Sequence, residues 1–189
     1  VMNHSTIMVL GAFTLMGMAH SAFAAFEFKG DKTIIAVTAD GAKTTIGTVQ
    51  FTPAADQTST FKFTLKTSAF TDYFLSMREF KCLAASKEVS CYVPYPYEHP
   101  ATVSPDNLAW LEHSLLFLHK SPAEFGAKLH NGTYYELAEQ GNTLVGTPKA
   151  IDLNVIAAPP SDTTEPPFAA DLRYDMEAQE RWITQLLIE

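Results

Sequence analysis

The sequence lacks the short motifs by which most catalytic and metal centres are recognised. It contains no H-E-x-x-H or paired-cysteine zinc spacing, no G-x-S-x-G nucleophile turn and no glycine-rich phosphate loop. His113 and His119 are six residues apart, so a helix would direct them to different faces. We therefore predict no catalytic residue, no metal site and no cofactor, and we do not expect an enzyme. A hydrolase or metalloenzyme built from scattered residues is the least favoured alternative.

Positive charge is also scarce. The chain has 13 basic and 21 acidic side chains, giving a formal net charge of −8, and its lysines are scattered rather than clustered. A field of this sign repels phosphate backbones and anionic headgroups. Nucleic acid is therefore excluded as a predicted partner, and so is an anionic membrane surface.

The first 24 residues contain no Lys, Arg, Asp or Glu. The apolar stretch from Ile7 to Met18 is followed by Ala22-Phe23-Ala24, which has the small residues of a signal-peptidase site. Spanning a bilayer takes roughly 20 apolar residues, so this stretch is too short for stable membrane insertion. We predict a signal peptide over residues 1–24 and a periplasmic or secreted mature protein.

Only two cysteines are present, Cys82 and Cys91. In an oxidising compartment two cysteines are more often paired than free. We expect them to form a disulfide at the base of a hairpin whose tip is Ala84 to Glu88.

Residues 25–158 are predicted to form a β-rich domain. Lys32 to Thr38 is rich in β-branched residues, and Asp40-Gly41 predicts a hairpin turn into Thr44 to Thr52. Phe61, Phe63 and Leu65 alternate with polar residues, which predicts a strand with one dry face. The expected fold is α+β, with a mainly antiparallel sheet or small barrel-like domain; a lipocalin-like all-β barrel is the alternative.

Two helices are predicted to accompany this sheet. Ser104-Pro105-Asp106 has the residue types of a helix start, and Leu108, Leu111, Leu115 and Leu118 follow at helical spacing. Residues 159–167 contain four prolines and are predicted to be a linker. Residues 168–189 beyond it are predicted to form a C-terminal helix, from the spacing of Leu172, Met176, Ile183, Leu186 and Leu187.

The most distinctive segment is Phe74 to Pro100, in which tyrosines alternate with prolines. Such a segment offers semi-rigid amphipathic rings, which are frequent in recognition surfaces. We name Tyr92, Tyr95 and Tyr97 as a candidate interaction surface, together with Trp182 and Leu186 of the predicted C-terminal helix. Packing of the tyrosine rings against the β-core is the alternative. Arg78 and Glu79 are interpreted as a local salt bridge.

These features favour a non-catalytic exported protein that binds or supports another envelope protein. The alternative is a carrier for a small apolar ligand, with a cavity lined by Phe61, Phe63, Phe70 and Phe74. Pocket geometry discriminates between the two functions, because a carrier needs a deep apolar cavity.

Overall fold

The computed structural model describes residues 24–75, 77–176 and 180–189. The architecture is a mostly antiparallel β-sheet with a small helical content. All of its strand pairs are antiparallel. The predicted antiparallel sheet is therefore confirmed.

The sheet has twelve strands in the described residues. The first six are β1 (Gly30–Thr38), β2 (Lys43–Pro53), β3 (Ser59–Leu65), β4 (Thr71–Leu75), β5 (Arg78–Ala84) and β6 (Val89–Tyr92). The last six are β7 (Thr102–Val103), β8 (Phe117–Lys120), β9 (Gly132–Gln140), β10 (Thr143–Ile151), β11 (Tyr174–Asp175) and β12 (Ile183–Ile188). The helical elements are α1 (Ala109–His113) and the 3₁₀ helices Thr67–Ala69, Leu153–Ile156 and Ala170–Leu172.

The strand order is β4-β5-β6-β8-β9-β10-β12-β1-β2-β3-β7, and β11 pairs with β10. Strand β12 comes last in the sequence but lies in the middle of the sheet, between β10 and β1. The sheet is not closed into a barrel. Both barrel predictions, including the lipocalin-like one, are thus wrong, because β4 and β7 remain at opposite ends of the strand order.

Two hydrophobic clusters pack on the sheet. The first lies against β1, β2 and β12, and the second contains the disulfide and Phe168. Neighbouring residues of one strand enter different clusters: Tyr135 belongs to the first and Tyr134 to the second, and both are fully buried. Successive side chains of a strand point to opposite faces. Strand β9 is therefore covered on both faces here.

The predicted helix over 108–118 is shorter than expected. Helix α1 has five residues, and the chain then enters β8. Ser104 does not cap a helix but forms a β-bridge with Asn107. The run from Leu115 to Leu118 is fully buried, with Phe117 in the first cluster and Leu118 in the second. A short apolar run buried on both faces is compatible with a strand as well as a helix.

The predicted helix over residues 168–189 is wrong, because its C-terminal part forms β12. The register of β12 against β1 shifts between Val37 and Thr38, so that Thr184 is an extra residue. Because of this β-bulge, Ile183 and Leu186 both enter the first cluster although they are three residues apart in the sequence. A bulged strand therefore imitates the apolar spacing of a helix.

The disulfide between Cys82 and Cys91 is confirmed. The two residues are directly paired in register on β5 and β6, and their Cα atoms are 3.9 Å apart. Both are buried in the second cluster. The bond therefore fastens this hairpin from within the core.

The predicted signal peptide covers residues 1–24, and all but Ala24 lie outside the described residues. The N–H of Phe26 donates to Glu139 Oε1 at 2.7 Å, and the Phe26 ring is buried against Phe28 and Phe51. Among the described residues, Phe26 is thus the first that packs into the core. None of the helices in the described part of the chain has the length and apolar character needed to cross a bilayer.

The central position of β12 predicts unequal effects of two neighbouring substitutions. Leu186→Ala removes a fully buried side chain and is expected to lower the free energy of unfolding by about 2–5 kcal/mol. Gln185→Ala, on the exposed side of the strand, is expected to change it by less than about 0.5 kcal/mol. Urea unfolding of both variants measures the difference. Equal, small effects would contradict the central placement of β12.

Candidate functional site

The tyrosine- and proline-rich segment leaves the sheet where β6 ends. Pro94 and Pro96 have no N–H to donate to a neighbouring strand, and both are exposed. The N–H of Val93 donates to the carbonyl of Leu116 at 2.8 Å, and the Tyr97 hydroxyl donates to the carbonyl of Ile156 at 3.1 Å. The segment is thereby tied to the body of the protein on both sides of its prolines.

The tyrosine rings of this segment are half-buried. Tyr92 packs between Phe63 and Phe117, with ring centroids 5.7 and 5.8 Å away. Tyr95 has edge contacts with Tyr97 at 5.7 Å and with the His113 ring at 6.0 Å. The predicted rings are therefore anchored in the core, and the prolines between them are the more exposed residues.

Three pockets of similar volume meet at Pro94. The Phe63 pocket, about 220 Å³, is lined by Phe61, Phe63, Tyr92, Pro94, Tyr95, His99, Ala101 and Ser114. The Phe80 pocket, about 210 Å³, is lined by Leu65, Arg78, Glu79, Phe80, Lys81, Tyr92 and Pro94. The Leu153 pocket, about 240 Å³, is lined by Arg78, Val93, Pro94, Pro96, Tyr97, Leu129, Leu153, Ile156 and Ala157. We call the combined lining of these pockets the Pro94 surface.

The Pro94 surface joins residues that are distant in the sequence. Phe61, Phe63 and Leu65 come from the dry face of β3, as predicted. Tyr92 and Pro94 are shared by the Phe63 and Phe80 pockets, and Arg78 is shared by the Phe80 and Leu153 pockets. The three predicted tyrosines thus belong to one continuous surface.

Two side chains of the Phe63 pocket, His99 and Tyr92, have a defined protonation state. The His99 ring is stacked between Phe61 and Trp110, with centroids 6.1 and 5.1 Å away. Its Nδ1 accepts the N–H of Ala101 at 3.1 Å, and burial lowers the pKa of His99. Burial also raises the pKa of Tyr92 to about 12. At neutral pH both side chains are therefore uncharged.

Tyr95 carries a polar atom without a partner. Its hydroxyl is buried and has no hydrogen-bond partner in the described part of the chain. Burial raises the pKa of this phenol, with a further contribution from Tyr97, so the group stays protonated. A buried hydroxyl without a partner costs stability. Such a cost is typical of residues retained for function.

A buried polar cluster lies beneath this surface. The Tyr134 hydroxyl donates to Glu112 Oε2, and the N–H of Leu137 donates to Glu112 Oε1 at 2.7 Å. The Arg173 guanidinium lies 4.2 Å from the Tyr134 ring centroid and donates to Glu136 Oε1 at 3.2 Å. Burial raises the pKa of Glu112, and the hydrogen bonds from Tyr134 and Leu137 oppose this rise. The cluster fastens the segment around Arg173 to β9.

His113 completes this fastening. Its Nδ1 donates to the carbonyl of Ala109 at 2.6 Å, and its Nε2 accepts the N–H of Phe168 at 3.0 Å. These contacts require the neutral ring, and burial lowers the pKa of His113 to about 4. Both ring nitrogens are thus used within the protein, and we assign His113 a structural role.

The other predicted surface residues lie elsewhere. Trp182 lines a cleft of about 660 Å³ between the β1–β2 and β5–β6 turns, which shares no lining residue with the Pro94 surface. Leu186 is fully buried and cannot belong to an interaction surface. The predicted salt bridge of Arg78 with Glu79 is absent from the ion pairs of the described residues.

Sequence reasoning missed several residues of this region. His99, Trp110 and His113 contact Tyr95 through the fold, and no spacing in the sequence indicates that they meet. For metal chemistry, no group of three or more His, Cys, Asp or Glu side chains is arranged to hold an ion among the described residues.

The unpartnered hydroxyl predicts opposite effects for two similar substitutions. Tyr95→Phe removes a buried polar atom without a partner and is expected to raise the free energy of unfolding by about 1 kcal/mol. Tyr97→Phe removes the hydrogen bond to Ile156 and is expected to lower it by about 1 kcal/mol. Thermal and urea unfolding of the two variants measure the sign. Destabilisation by Tyr95→Phe would show that its hydroxyl has a partner.

The buried His113 predicts acid sensitivity. Its pKa is about 4 in the fold against a reference value of 6.5, so the unfolded chain binds more protons between these values. Stability is fully present above about pH 6.5 and falls as the pH approaches 4, by roughly 3 kcal/mol for this group. Urea unfolding from pH 4 to 8 measures the loss. His113→Gln is expected to be less stable at pH 7 and to show a shallower dependence; an unchanged slope would contradict the assignment.

Comparison with protein-family models, curated proteins and solved structures finds no match for this chain. Its function is therefore inferred from the geometry of the Pro94 surface.

Proposed function

We propose that this protein is a non-catalytic exported protein that binds or supports another envelope protein through the Pro94 surface. The observation that carries the proposal is the meeting of three pockets, each of about 210–240 Å³, at the exposed Pro94. Interfaces between proteins take most of their affinity from a few anchor side chains seated in pockets. Three adjoining pockets suit a partner that presents several side chains from one segment.

The size of the pockets favours side chains over a free ligand. Sites for drug-sized molecules have volumes of about 300–1,000 Å³. Each pocket of the Pro94 surface is smaller than this range. A partner segment that fills several of them gains contact area that no single small molecule obtains in one pocket.

The rigidity of the surface supports the same function. Tyr92 is packed between two phenylalanine rings, and His99 is stacked between Phe61 and Trp110. Proline has a fixed φ and limits the backbone of the segment. A surface that is ordered before binding loses little conformational entropy when a partner docks.

The carrier function receives less support. Phe61 and Phe63 line the Phe63 pocket, as that function requires. Phe74, however, is 74% exposed on the edge strand β4, so it does not line an internal cavity. The disulfide fits an exported protein under either function.

Selection of peptides tests the proposal. A random heptapeptide library displayed on phage is selected on the immobilised wild-type protein, and we expect enrichment of aromatic and large aliphatic residues. Pro94→Asp places a carboxylate where the three pockets meet, in the lining that Pro94 shares with Arg78. It is expected to weaken binding of the selected peptides at least tenfold, because a charged side chain that is costly to bury replaces an apolar lining group and competes with the partner for Arg78.

The matched control is Pro53→Asp, which introduces the same change at an exposed proline that lines none of the three pockets. This variant is expected to bind the peptides as the wild type does. The proposal fails if no peptide is enriched, or if both variants bind equally well. Binding of free aromatic molecules without any peptide would favour the carrier instead.

A further inference from the structure

Arg78 differs from Lys81, the other cation of the Pro94 surface, because it has no ionic partner among the described residues. It is exposed at the start of β5, and no carboxylate of the described chain forms an ion pair with it. Lys81, the other cation of the Phe80 pocket, is paired with Asp72 at 2.5 Å. Arg78 is therefore the cation of this surface that remains available.

The position of Arg78 is defined by an aromatic ring. The guanidinium carbon lies 4.7 Å from the centroid of the Phe80 ring, which is a cation–π distance. Arg78 also lines both the Phe80 and the Leu153 pockets. A fork of N–H donors is thus held at the boundary between two pockets, and its geometry matches a carboxylate.

The turn before Arg78 adds an apolar side chain to this region. Met77 is 91% exposed and has a φ of 70°, in the left-handed region that bulky residues rarely adopt. Leu75 pairs directly with Arg78, so Met77 lies in a two-residue hairpin turn, for which a positive φ is the usual geometry. Met77 and Arg78 together present an apolar group beside a cation.

From these contacts we infer that the partner segment is extended and carries an Asp or Glu that pairs with Arg78, flanked by apolar side chains that enter the neighbouring pockets. This inference rests on the proposed function. Side chains two residues apart in an extended chain lie on one face about 6.6–6.8 Å apart. An acidic residue with apolar residues two positions before and two positions after it therefore places all three side chains on one face, where they match adjoining pockets with a cation between them.

The net charge of the whole chain restricts recognition of the acidic residue to short range. With a net charge of −8, the protein repels acidic partners at long range. A single carboxylate opposite Arg78 is favoured only at contact distance. Binding is thus expected to select the position of the acid within the segment, not the total negative charge of the partner.

The same heptapeptide library, selected on Arg78→Gln and on Lys62→Gln, tests the inference. Lys62 is exposed on the outward face of β3, has no ion pair in the described chain and lines none of the three pockets, so Lys62→Gln removes the same charge elsewhere. The wild type and Lys62→Gln are expected to enrich Asp or Glu two positions away from apolar residues. Arg78→Gln is expected to keep the apolar preference and to lose the acidic one.

A quantitative comparison uses one enriched peptide and its counterpart with Gln in place of the acid. Calorimetry is expected to give about fivefold tighter binding of the acidic peptide to the wild type, as for a partly exposed ion pair. This ratio is expected to approach 1 with Arg78→Gln, to be recovered in part with Arg78→Lys, and to fall as salt is raised.

The outcomes separate the two proposals. Apolar enrichment without an acidic preference, or an acidic preference that survives Arg78→Gln, overturns the inference about Arg78 and leaves the proposed function standing. Absence of any enriched peptide overturns the proposed function, and the inference falls with it. Thermal unfolding of each variant verifies that the comparison is made between folded proteins.

Discussion

Strand β12 joins the two parts of the sheet, and the rest of the structure depends on its pairing. On one side it pairs with β1, for example Ile188 with Ile34, and on the other with β10, where the same residue faces Leu144. Most other pairings are hairpins between consecutive strands. The pairing with β1 joins residues about 150 positions apart, so it costs the most chain entropy and gives the fold its long-range character.

The candidate site is a consequence of how the chain leaves this sheet. The proline residues after β6 cannot donate to a neighbouring strand, so the ladder ends at Tyr92. The tyrosine rings then pack back against β3 and α1, and the prolines between them stay at the surface. The prolines that end the strand therefore also form the exposed centre of the Pro94 surface, with the three pockets around it.

The polar groups near the Pro94 surface are of two kinds, those with partners within the protein and those without. Glu112, His113 and Arg173 use their polar atoms for contacts within the protein, and they fasten the C-terminal segment to the sheet. Tyr95 has a buried hydroxyl without a partner, and Arg78 has a charge without one, among the described residues. The unpaired groups of Tyr95 and Arg78 thus lie where another molecule is proposed to dock.

Local signals in the sequence determined the hairpin at Asp40-Gly41, the dry face of β3 and the disulfide, because each depends on residues close together along the chain. The tertiary structure alone decided between helix and strand for 115–118 and 183–188. Residues 115–118 are buried on both faces, so they lack the alternation of polar and apolar residues that indicates a strand. The β-bulge in 183–188 gives that strand an apolar spacing typical of a helix. The tertiary structure alone also formed the Pro94 surface, because Phe63, Arg78 and Leu153 come together only after the sheet has formed.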